Sequence, residues 1–127
     1  MDKLAYERLI EKAKDFAQNA YCPYSDNPIG ACVLTQNGMI YGGCNIELCT
    51  LTGSLGAVEV AISKAVSEGT SQIMAIAIYS QDFMPYPTGA ERQLIKEFNN
   101  RTQIIVATQD KTEQLDAQEL LPYSREK

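Results

Sequence analysis

Residues 72–79 read Gln-Ile-Met-Ala-Ile-Ala-Ile-Tyr, a mostly apolar run of strand length. Such a run belongs to a strand buried on both faces, so other elements must cover it on each side. The rest of the chain supplies them. Leu4, Leu9, Ile10, Ala13, Phe16, Ala17 and Ala20 recur at helical spacing, which predicts an amphipathic helix over residues 3–20 with Asp2 as N-cap. Residues 56–68 predict a second helix with Val58, Ala61, Ile62, Ala65 and Val66 on one face, and Gly69 is its natural stop. Asn37-Gly38 joins two strand-like runs, residues 29–36 and 39–46, as a hairpin, because both turn residues tolerate positive φ. A third helix over 89–98, a short strand over 103–108 and a helical turn over 116–121 complete the series. Strands alternating with helices predict an α/β fold, a mixed sheet covered on both faces. No repeat, low-complexity tract or linker interrupts residues 1–127, so one domain is expected, a length that suits it.

Charge and residue usage narrow the function. Eleven basic and 16 acidic residues leave a net charge of −5, and no basic cluster stands out. Phosphate neutralisation needs lysine and arginine, so no nucleic-acid partner is expected. Residues 27–46 are uncharged, but Pro28, Gly30, Gln36-Asn37-Gly38 and Gly42-Gly43 break them, so no membrane span is expected. Residues 1–20 are charged throughout, unlike a signal peptide, and the expected compartment is the cytoplasm, with its cysteines reduced. Histidine is absent, which removes imidazole acid–base chemistry and imidazole metal ligands.

Ordered pieces then carry a resemblance. They are Ala20-Tyr21-Cys22-Pro23-Tyr24-Ser25, Pro28-Ile29-Gly30-Ala31, Gly43-Cys44-Asn45-Ile46-Glu47, residues 61–69, Pro87 with Gly89 and Arg92-Gln93, and Glu119-Leu120-Leu121-Pro122. In this order and spacing the chain resembles the small cytidine deaminases over nearly its whole length. The resemblance implies a three-layer fold with a five-stranded mixed sheet, and a homo-oligomer, a tetramer. It also implies a chemistry: three cysteines hold a zinc ion whose hydroxide attacks the cytosine ring, and a glutamate that is not a ligand moves protons.

The resemblance stops at the residues that do this chemistry. The family's zinc-ligand positions fall on Gly56, Thr88 and Glu91, and its glutamate position on Val58. Cys22, Cys32, Cys44 and Cys49 all precede the second helix, at none of those positions. Zinc takes a bound water from a pKa of about 15.7 to about 7. Loss of a general acid/base costs a further factor of roughly 10²–10⁴. The sequence therefore leads to the expectation of no zinc, no other cofactor, no catalytic residue of the family type and no zinc-dependent cytidine deamination. Glu59 and Glu91 are expected in ion pairs, with Arg92 one available partner. A new metal site with Cys44 and Cys49, or a catalytic carboxylate pair, are the other readings of these two glutamates.

The substrate side is mixed. The family's stacking aromatics fall on Asn27 and Arg125, and its loop tyrosine on Leu51. Asn45 and Glu47 match the family pair that bonds the sugar hydroxyls. Two residues apart on a strand, they face the same side. They either bind a ribose or order the following loop. Asn27 and Arg125 are expected to make the pocket more polar, with Arg125 either meeting an anionic group across a subunit interface or standing solvated in the tail. The hairpin turn places Ala31 opposite Cys44, which sends Cys32 and Cys44 to opposite faces and argues against a disulfide between them. The leading expectation is a pseudoenzyme that keeps a nucleoside or ribose pocket. The alternatives are zinc-independent chemistry on a nucleoside-like substrate, and a structural or regulatory subunit of an active paralogue.

Overall fold

The computed structural model describes residues 2–50 and 52–125. Nine elements follow in order: α1 Lys3–Ala17, β1 Ile29–Thr35, β2 Ile40–Cys44, α2 Ala57–Ser67, β3 Ile73–Ser80, α3 Gly89–Phe98, β4 Gln103–Ala107, β5 Thr112–Asp116 and α4 Ala117–Leu120. The five strands form one sheet in the order β2-β1-β3-β4-β5. β3 and β4 run parallel, joined through α3, and the other pairs are antiparallel. The sheet is mixed, as its pattern of strands and helices dictates.

β3 is the apolar run, and both its faces are covered. Ala75, Ala77 and Tyr79 pack with Cys32, Ile105, Ala107 and the Leu9, Ala13 and Ala17 stripe of α1. Ile76 and Ile78 pack on the other face with Val33, Ile104, Val106 and the helical residues Val58, Ala61, Ile62, Ala65, Ile95 and Ala117. Asp2 caps α1, its carboxylate accepting the Ala5 N–H at 2.8 Å. Gly30 lets α1 lie on β1, since a Cβ there would stand 1.9 Å from the Ala13 carbonyl oxygen. No helix among the described residues is long and apolar enough to cross a membrane.

Two local expectations are corrected. The hairpin pairs Gly30 with Cys44 and Leu34 with Ile40, one residue away from the register that a two-residue Asn-Gly turn imposes. Thr35 instead bonds around the turn: its N–H donates to the Met39 carbonyl at 2.9 Å, and its Oγ1 accepts the Met39 N–H at 3.0 Å. Cys32 and Cys44 therefore share the α1 face of the sheet. All four cysteines are nonetheless free thiols. Cys32 donates to the Leu9 carbonyl at 3.1 Å, and burial pushes its thiol up to about 12, so it stays protonated and inert. The second correction is β5, absent from the element reading because Thr112–Asp116 is a polar edge strand without an apolar period.

Candidate functional site

Two neighbouring regions carry the residues that the sequence singles out. The first is the junction where α2 and α3 begin. Thr88 caps α3: its Oγ1 accepts the Glu91 N–H at 3.1 Å, and Glu91 Oε1 accepts the Thr88 N–H in return, also at 3.1 Å. This is the reciprocal capping box that Thr-x-x-Glu spells. Gly56 precedes α2 and has no side chain to cap with. Glu59 Oε1 accepts the Gly56 N–H at 2.9 Å, and Glu91 Oε2, reaching from the other helix, accepts the Glu59 N–H at 3.3 Å.

One carboxylate thus bridges two helix N-termini. Both helices present positive dipole ends to it, an arrangement that favours an anion. Glu91 is only 8 % exposed, and its two oxygens replace water as acceptors for backbone N–H groups that a helix start leaves unpaired. The arrangement also dictates the residue at position 56. A Cβ on Gly56 would lie 2.3 Å from Glu91 Oε2. The side chain of position 91 occupies the space that a side chain of position 56 would need.

Glu59 and Glu91 make no ion pair with Arg92 among the described residues, which corrects that expectation. Arg92 donates through Nε to the Pro87 carbonyl at 2.7 Å and through Nη1 to the Leu120 carbonyl at 3.0 Å, tying α3 to the loop before it and to α4. Backbone groups win both glutamates because the helix starts supply donors closer at hand. Val58 lies in the first turn of α2, 1 % exposed and inside the apolar core.

The second region is the end of β2. Asn45, 8 % exposed, accepts the Ile29 N–H at 2.9 Å through Oδ1 and donates from Nδ2 to the Asn27 carbonyl at 3.0 Å. Both ends of its amide are used to hold the chain entering β1. Glu47 Oε1 accepts the Tyr24 and Ser25 N–H groups, each at 3.0 Å. The Ser25 hydroxyl above all, helped by those backbone groups, holds the Glu47 carboxyl below its ordinary value against an opposing desolvation. Asn45 and Glu47 therefore staple residues 22–29 to the end of β2.

Asn27 is brought beside Asn45. Arg125 is not: it lines a groove with Gln93, Glu97 and Asn100 along the C-terminal half of α3, the opposite end from the junction. Leu51 lies outside the described residues. Sequence reasoning missed that Glu91 bridges two helices and that Glu59 caps Gly56. The Thr88-x-x-Glu91 spelling was the available signal for the first half of that.

Comparison with known proteins bears on the family and the fold. A family model described as the cytidine and deoxycytidylate deaminase zinc-binding region matches residues 1–80. The chain is 38 % identical over 125 residues to the cytidine deaminase of Sporosarcina psychrophila, covering 94 % of this chain and 92 % of that one. It is 36 % identical over 92 residues to the cytidine deaminase of Halalkalibacterium halodurans, covering 72 % and 70 %. Its fold superposes on the crystal structure of cytidine deaminase from Burkholderia pseudomallei with a TM-score of 0.90, at 29 % identity, covering 98 % of this chain and all of that one.

These matches correct the expectation that the chain takes no cofactor. The family model is that of a zinc-binding region and the relatives are cytidine deaminases, which points to zinc. The donors at the three corresponding positions do not fit a three-thiolate site. Gly56 and Thr88 bring no thiolate, carboxylate or imidazole, and both oxygens of Glu91 are engaged by backbone N–H groups. Among the described residues no three of His, Cys, Asp and Glu are grouped as a metal site needs, so no zinc ligand is assigned among them. The family model over residues 1–80, the near full-length relatives and the shared fold leave one conclusion about kinship: this chain belongs to the cytidine deaminase family.

Proposed function

We propose that this chain binds a nucleoside-like ligand without deaminating cytidine by the family's route. The observation that carries the proposal is Val58. It stands in the apolar core at the position where the resemblance puts the proton-moving glutamate. An isopropyl group neither takes up nor releases a proton, and a positioned acid/base is worth roughly 10²–10⁴ in rate. Glu59, one residue on, is turned about 100° around the helix and already accepts the Gly56 N–H. Both oxygens of Glu91 already accept backbone N–H groups at the two helix starts.

On the binding side the support is Glu47, whose carboxylate offers about four acceptor sites, more than the Tyr24 and Ser25 N–H groups and the Ser25 hydroxyl use, so it can still accept from a sugar hydroxyl. Asn27 and Asn45 border the same loop, and Arg125 joins the pocket only if a neighbouring copy supplies it. The proposal includes a single domain, a homotetramer as the working form, a cytoplasmic setting, and no nucleic-acid or membrane partner.

The test pairs binding with turnover. Nucleosides are screened by thermal shift on the wild-type protein with zinc supplied. A stabilising nucleoside is expected, with the shift reduced in Glu47→Ala. Each nucleoside is then incubated with the protein, and deaminated product is sought by mass spectrometry. No shift from any nucleoside removes the binding half. Sustained conversion of cytidine to uridine removes the other half.

A further inference from the structure

We propose a second ligand site, a cavity of about 470 Å³ outside the C-terminal ends of the parallel strands β3 and β4, which takes a small amino-carboxylate such as a free amino acid. The place has a general physical basis. Parallel strands joined by a helix leave a crevice beyond their carboxyl ends, where ligands of open α/β sheets bind. Its volume lies in the usual range for small-molecule sites, about 300–1,000 Å³.

Tyr79 is the observation that points to a ligand. It is 6 % exposed, and among the described residues no hydrogen bond reaches its hydroxyl. The hydroxyl is not sealed in the core, because no enclosed side-chain polar atom among the described residues lacks a partner. It therefore opens on the cavity that Tyr79 lines. A phenol with a buried ring and an unpaired hydroxyl keeps a donor and an acceptor for whatever enters.

The surrounding charges fix the class. Lys14, on the last turn of α1, lines the same cavity and holds its ammonium over the Tyr79 ring, 5.8 Å from the centroid. An ammonium and a hydroxyl together suit a carboxylate. Asp26 and Asp82 line the same cavity and make no ion pair among the described residues, which suits an ammonium on the same ligand. Asp26 is held at φ 58°, in the left-handed region, by the turn that begins at the Cys22 carbonyl. Ala17 and Phe83 supply apolar wall for the ligand's body. A molecule of one charge would leave either Lys14 or the two aspartates unmatched.

This site is separate from the one under Proposed function. It contains none of Glu47, Gly56, Thr88 or Glu91, and it shares Asp26, Asn27 and Pro28 with the stapled loop. The two sites are probed with different ligands, nucleosides and amino acids, so each can be refuted without the other.

The experiment is a thermal-shift and calorimetric screen of the twenty free L-amino acids on the wild-type protein. The best amino acid is compared with its carboxylate-only and amine-only analogues. At least one amino acid is expected to bind, with each single-charge analogue at least tenfold weaker. Tyr79→Phe keeps the ring and removes only the hydroxyl, and Lys14→Ala removes an exposed side chain, so both variants should fold. Each is expected to weaken binding at least tenfold. No amino acid binding, single-charge analogues binding equally well, or both variants binding like wild type would overturn the proposal.

Discussion

The junction of α2 and α3 and the end of β2 both hold a carboxylate against backbone N–H groups, yet they differ in depth. Glu91 is nearly enclosed, and each of its oxygens serves a different helix start. Glu47 lies at the surface, and one of its oxygens serves a single loop. An enclosed anion with both oxygens committed is part of the fold. A more exposed carboxylate with acceptor capacity to spare can order a loop and still meet a ligand. The difference teaches where the two carboxylates have room to act: Glu91 is taken up by helix capping, while Glu47 keeps acceptor capacity beyond its loop.

Substitutions sharpen that contrast, beginning with Glu91→Ala. It removes two charge-assisted bonds and leaves the first turns of both helices short of acceptors. Hydrogen bonds to a charged group are worth about 1.5–3 kcal/mol each. A loss of about 3 kcal/mol, or roughly 10 °C in melting temperature, is expected by calorimetry. A change under 1 kcal/mol would mean that water caps these helices as well as the carboxylate does.

Gly56→Ala comes next. The new Cβ meets a carboxylate at 2.3 Å, so the flexible end of Glu91 must move and the α2 cap is lost. About 1–3 kcal/mol is expected. Because both changes break one contact, Gly56→Ala should cost less in the Glu91→Ala background than alone. Additive losses would separate Gly56 from the bridge.

Asn45→Ala belongs to the other region. It leaves the Ile29 N–H and the Asn27 carbonyl without their partner, an expected loss of about 1–2 kcal/mol by denaturant titration. The smallest effect is on Glu47, and it depends on pH. Its carboxyl is lower in the folded protein than in the unfolded chain. Its contribution is therefore present above the ordinary glutamate value of about 4.3 and is lost as pH falls through the lower folded value. Amide exchange of Tyr24 and Ser25 should speed up in that acid range, after correction for intrinsic rates, and Glu47→Gln should abolish the pH step. A step that persists in Glu47→Gln would assign it to another group.

Much of the fold was legible because it rests on apolar spacing. The helix expected over 89–98 is there, and β3 is displaced by a single residue. What escaped was polar. Thr112–Asp116 pairs along β4 through backbone bonds, which need no apolar side chain to advertise them. The hairpin slipped one register because Thr35 hydrogen-bonds around the turn, a side-chain effect that the Asn-Gly rule does not contain. At the junction, Glu91 had the spelling of a cap for its own helix. That its second oxygen caps another helix depends on tertiary proximity, which no local spacing encodes. The zinc expectation failed for a different reason: it was read from ligand positions alone, whereas the family match over residues 1–80 points to the cofactor.

The central claim is that a family fold with Val58 in place of a proton-moving glutamate does not turn over cytidine. The direct measurement is uridine formed from cytidine by the purified wild-type protein at neutral pH with zinc supplied, followed through many equivalents. The account predicts uridine at the background rate. Turnover in the ordinary enzymatic range of about 1–10³ s⁻¹ would contradict it.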